Sequence, residues 1–281
     1  MKVDEKSSEP DLSWKVLFVR SLTFIKDTPI TWVFGVCFSL PLLVLMLFES
    51  LSLQADAEGF QTIALQALLL LLLCALLFFA GEAGFILTLK KTSSSVIEYI
   101  AATGALIRWY FLCLLVLLGF FAFFFAPLSF APESARPSIQ GISTAFFLFI
   151  ASITFILKMF GSFYLLLGKI SLGNALRASA TLFMEHVLPS SFLFIATIIF
   201  SLAAGMIVDT LYSRLSFPLS EKISGNIPLI ALILSLSSFL NIFFRAFWYF
   251  FFETIAAEKP RDWQKEAKMI EKSMVPAEDE A

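Results

Sequence analysis

Six uninterrupted apolar runs, at about 30–48, 62–89, 100–126, 142–167, 187–208 and 227–252, constrain this chain more than any other feature. A helix needs roughly 17–25 residues to cross a hydrocarbon layer about 30 Å thick, and every run is long enough. Of 281 residues, 59% are hydrophobic and only 15% charged, with a mean hydropathy of +0.87, which lies outside the soluble globular class. The strict alternation of outer-membrane strands is absent, and a helix satisfies every backbone group within one segment. The fold class predicted is all-α: a polytopic membrane protein of six transmembrane helices in three helical hairpins. Each hairpin is expected to follow a cytoplasmic amphipathic or short interfacial helix.

The segment at 12–27 is the clearest of these helices. At helical spacing Trp14, Leu17, Phe18, Leu22 and Ile25 share an apolar face, with Lys15, Arg20, Thr23 and Asp27 outside it, the pattern of a helix lying on a membrane surface. Pro29 follows and is expected to open the first span. A comparable face returns 160 residues later with Leu172, Leu176, Ser179, Leu182 and Phe183, capped by Ser171 and followed by Pro189. Thr92–Tyr99 reads as a weaker third copy, so that hairpins start near 30, 110 and 190. Residues 1–11 read as a disordered tail, 12–252 as the membrane domain and 253–281 as a charged cytoplasmic tail. With 29 residues ahead of it and no small-x-small site behind it, the first run is not expected to be a cleaved signal. Of the 20 Lys and Arg, 14 fall in the two tails and in the 90–99 and 168–186 connections, and 3 (Arg136, Arg214 and Lys222) in the other loops, which include Glu49–Gln61. By the positive-inside rule both termini are expected to be cytoplasmic, in a bacterial plasma (inner) membrane.

Polar residues inside the spans are the candidates for function. Glu82 lies eight residues before Lys90, Arg245 eight before Glu253 and Lys158 ten before Gly168, so at about 1.5 Å per residue all three sit at a similar depth on the even-numbered helices. Charges at that depth are costly unless paired. The expectation is an inward-facing cluster of Glu82 with Arg245 or Lys158, supported by Asn241. The small residues of Ala80-Gly81-Glu82-Ala83-Gly84 and Ala203-Ala204-Gly205 suit close helix approach, and Pro41 is expected to kink the first span. Arg108 and Trp109 read as interfacial anchors, and Phe-rich 120–125 as lipid-facing surface. Cys37, Cys74 and Cys113 behave as small apolar residues within spans. His186, the single histidine, beside Glu185, reads as a solvated pair. No catalytic, cofactor-binding or metal-binding residue is assigned, because no nucleophile motif, phosphate loop or ligand cluster occurs. The net charge of −2 argues against nucleic acid.

The segment Ile170-Ser171-Leu172-Gly173-Asn174-Ala175-Leu176-Arg177-Ala178-Ser179 leading to Pro189, with six spans and interfacial helices, resembles the membrane domain of the glycerophosphoryl diester phosphodiesterase membrane-domain type. That resemblance implies a membrane domain without the soluble barrel, and it carries over no catalytic residue. The mitochondrial carriers, also six spans in three repeats, do not fit, since Pro41 and Pro127 are not followed by the acidic and basic positions of that family's motif. The function expected is a non-catalytic integral membrane protein that organises lipid or a partner complex, not an enzyme and with no cofactor. Its partners are membrane lipids and a protein met through the cytoplasmic tail. The alternative is a transporter or channel for a lipid or small solute using the Glu82/Lys158/Arg245 cluster.

Overall fold

The computed structural model describes residues 13–52, 57–89, 95–130, 132–214 and 223–257. Within them the chain forms eight α-helices: α1 Trp14–Asp27, α2 Thr31–Ser52, α3 Ala57–Leu89, α4 Val96–Phe125, α5 Arg136–Leu167, α6 Leu172–Glu185, α7 Val187–Arg214 and α8 Ile223–Ala257. A 3-10 turn at Ala126–Ser129, with Pro127 near its start, ends α4. Thr62–Leu89, Val96–Ser129, Arg136–Leu167, Val187–Ile207 and Ile230–Ala257 are long and apolar enough to cross a membrane, so this is an integral membrane protein. Thr31–Pro41 is a shorter apolar stretch within α2.

Several expected boundaries move. Glu49–Gln61 is helical on both sides of 53–56, which lie outside the described residues together with the 1–11 tail, Lys90-Lys91, 215–222 of the 209–226 loop and the tail beyond 257. Residues 253–257 of the expected tail are helical, as the end of α8. Pro29 does not open α2; it sits in a turn in which Thr31 donates from both its N–H and its hydroxyl to the Thr28 carbonyl. Of the expected Thr92–Tyr99 segment, 92–94 lie outside the described residues and Val96–Tyr99 belong to α4 itself. Ser95 and Glu98 form a reciprocal capping box, Ser95 N–H to Glu98 Oε2 at 3.3 Å and Glu98 N–H to Ser95 Oγ at 3.2 Å, which starts the long helix itself.

The described residues divide into two units. One holds α1, α2, α3, the first turns of α4 through Thr103, and Ile195–Phe251 of α7 and α8. In it α2 runs antiparallel to α3: a methyl group at Gly81 would lie 2.9 Å from Cys37 Cβ, and one at Gly84 would lie 2.5 Å from Phe34 Cε1 and 3.2 Å from Tyr99 Cε2. Both glycines therefore supply the space the sequence pattern promised. Tyr99 ties α4 to the same site, donating its hydroxyl to the Ala80 carbonyl at 2.6 Å. Against α8, α2 packs antiparallel through Gly35, whose Cβ position is 2.5 Å from Ile242 Cδ1, and α7 packs through Thr197, which accepts from the Trp248 indole at 3.2 Å.

The other unit runs from Gly104 to Phe194 with the end of α8 from Phe252. Its core is the α4–α5 hairpin. Trp109 is fully buried, donates from Nε1 to the Lys158 carbonyl at 3.0 Å, and lies directly against Gly161. It is therefore a packing residue and not a head-group anchor, whereas Arg108 is exposed. At the far end Ser143 donates to the Phe124 carbonyl, and Phe121, Phe124 and Phe125 meet Phe146 and Phe147, so part of the Phe-rich stretch joins the hairpin. Ala203-Ala204-Gly205 is not a packing patch, since Gly205 faces open space.

Both short helices are real but differ from the expected faces. In α1 the buried residues are Leu17, Ser21 and Ile25, with Phe18 half exposed; in α6 they are Ala175, Ala178, Ser179, Leu182 and Phe183, with Leu176 turned outward. The two correspond at an offset of 158 residues (172 − 14 and 185 − 27), not 160. At that offset Ser13 and Ser171 are the N-caps, and Ser21 and Ser179 both donate to the carbonyl four residues back.

Candidate functional site

Glu82 sits in the middle of the small-residue segment of α3, where Gly81 and Gly84 bring α2 and α4 close and leave its side chain 2% exposed. An ionised carboxylate so enclosed needs a partner. Arg245 on α8 supplies it, with Nη2 3.5 Å from Glu82 Oε2 across 163 residues of sequence. The same guanidinium donates from Nη1 to Asn241 Oδ1 at 3.1 Å, one turn back along α8. Its central carbon lies 3.8 Å from the Phe38 ring centroid and 5.2 Å from that of Phe78, so two aromatic faces cover a cation that is 14% exposed. Arg245 Nε is buried with no hydrogen-bond partner among the described residues.

The polar chain runs on. Asn241 Nδ2 donates to the Ser237 carbonyl at 2.9 Å, and Ser237 Oγ lies 3.1 Å from Ser39 Oγ on α2. Ser39 Oγ is also 3.1 Å from the Gly35 carbonyl and 3.2 Å from Ser238 Oγ. Its single proton is shared between the Gly35 carbonyl and Ser237 Oγ, both of which it can reach as donor, and the Ser238 contact can run in either direction. Ser39, Ser237 and Ser238 were not among the sequence candidates. Their signal was a pair of serines one turn before Asn241, indistinguishable from the many other span serines.

The structure thus brings Glu82, Arg245 and Asn241 together. Lys158 belongs to the other unit, where its ammonium lies 4.5 Å from the Tyr110 ring centroid and 5.0 Å from that of Phe155. No protein-family model, curated protein or solved structure matches this chain. The reading of the site therefore rests on its geometry. A carboxylate engaged by a guanidinium, and a guanidinium held in turn by that carboxylate, an amide and two rings, have few contacts left to offer a substrate. Directional bonds among three helices do something else well: they fix the rotation and axial level of α2, α3 and α8 at once.

Proposed function

We propose that this chain is a non-catalytic integral membrane protein that organises lipid or a partner complex, with the Glu82–Arg245–Asn241 cluster acting as its packing lock. The observation that carries this reading is that both terminal nitrogens and the face of the guanidinium are taken up within the cluster, by Glu82, Asn241, Phe38 and Phe78. In this reading α2, 22 residues or about 33 Å long, is a sixth span, the hairpins are α2–α3, α4–α5 and α7–α8, and both termini face the cytoplasm of a bacterial cell. The likeness to the glycerophosphoryl diester phosphodiesterase membrane-domain type is retained as part of the proposal.

Purified protein in liposomes is expected to pass no solute and scramble no lipid above empty-liposome rates, with Glu82→Gln altering stability only. A substrate-dependent flux abolished by Glu82→Gln would overturn the proposal in favour of the transporter.

A further inference from the structure

Helix α1 is docked, not free. Trp14 stacks on Phe247 and Phe251 of α8 at centroid distances of 6.2 and 5.9 Å, Phe18 meets Phe243 edge-on at 5.3 Å, and Phe24 meets Phe85 and Phe250 at 5.9 Å each. Leu17, Ser21 and Ile25 fill the buried side, and the Ser21 hydroxyl is satisfied by the Leu17 carbonyl, so that face is closed. The opposite face is a different surface. It carries Val16 and Val19, each about half exposed at 52% and 51%, beside exposed Lys15 and Lys26. Asp27, its last residue, is the helix's only acid.

Lys15 and Lys26 are eleven residues apart, three turns, which sets them on one stripe about 16 Å apart along the axis, with Val19 between them. Because α1 rests along the final turns of a membrane-crossing helix, this stripe belongs at the boundary between acyl chains and head groups. Two cations on a partly apolar strip at that level complement the phosphates of neighbouring anionic lipids.

We infer that the outward face of α1 binds anionic phospholipid head groups through Lys15 and Lys26, with Val16 and Val19 resting on the acyl boundary. This rests on the proposal that the protein organises membrane lipid and names the lipid class. The lysines are each worth about fivefold in selectivity for an anionic over a zwitterionic lipid.

The test is titration of the full-length protein with phosphatidylglycerol or phosphatidylcholine, counting bound lipid by native mass spectrometry. Wild type is expected to prefer phosphatidylglycerol by at least about fivefold; K15Q/K26Q should bring the two lipids close to parity, and K15R/K26R should keep the preference. No preference in wild type, or an unchanged one in K15Q/K26Q, overturns the inference, the latter leaving the face to a soluble acidic partner. Alkaline carbonate extraction of the same membranes separates the two failures: a protein that washes out sinks the membrane reading, and one that stays without selectivity sinks only the lipid site.

Discussion

The guanidinium carbon of Arg245 lies over the Phe38 ring, 3.8 Å from its centroid, so the cation that neutralises Glu82 also contacts the helix that packs against Glu82's own. One side chain on α8 thereby engages α2 by stacking and α3 by charge. Removing one charge strands the other at low dielectric. Glu82→Gln and Arg245→Gln are each expected to lower stability by roughly 3 kcal/mol, with the double variant losing less than the sum. Thermal unfolding in detergent across the four proteins checks this; strict additivity would show the two residues to be uncoupled.

Trp109 fills the space a side chain at 161 would need. Gly161→Ala is expected to displace the indole, break its bond to the Lys158 carbonyl and cost about 1–3 kcal/mol. The matched change Gly205→Ala meets open space within a helix and should be neutral or stabilising by up to about 1 kcal/mol. The melting temperature should fall in the first variant and hold or rise in the second.

Detaching α1 requires losing its stacked end. Trp14→Ala removes both contacts to α8, each worth about 0.5–1.5 kcal/mol beyond the area they bury, and should open the helix to proteolysis at Lys15 and Arg20 while α8 stays intact. Cleavage kinetics identical to wild type would show that Phe18, Phe24 and the buried face hold the helix without Trp14.

Lys169 is the one described non-glycine residue with positive φ, at 50°, in the link between α5 and α6. A left-handed L-residue costs about 1–2 kcal/mol, partly offset by the greater unfolded freedom of glycine, so Lys169→Gly is expected to raise stability by about 0.5 kcal/mol. A fall in the melting temperature would mean that the lysine side chain holds the link more tightly than the strain loosens it.

The helices were legible because length and hydropathy determine them directly, and the common depth of Glu82 and Arg245 followed from counting residues to the helix ends at a fixed rise. Counting gives a level along the membrane normal and nothing about rotation or neighbours. That is why Lys158, at a comparable count, was grouped with Glu82 although its ammonium lies over Tyr110. The same blindness turned Trp109 into an interfacial anchor, since Gly161, which makes room for it, lies 52 residues away and carries no mark of the contact (161 − 109). The faces of α1 and α6 slipped because hydrophobicity alone selects Phe18 and Leu176, while packing selected Ser21 and Ala175, small enough for close approach and with the hydroxyl of Ser21 absorbed by its own helix.

The 163 residues between Glu82 and Arg245 also set an order of events. A chain is made from its N-terminus, so α3 exists through the synthesis of four further helices before its counter-charge emerges. Until α8 arrives, neither the carboxylate nor the rings of Phe38 and Phe78 have the Arg245 guanidinium that they meet in the folded protein. The last helix is thus the keystone of its unit, and a chain released after Arg214 leaves the ribosome with Glu82 still lacking Arg245.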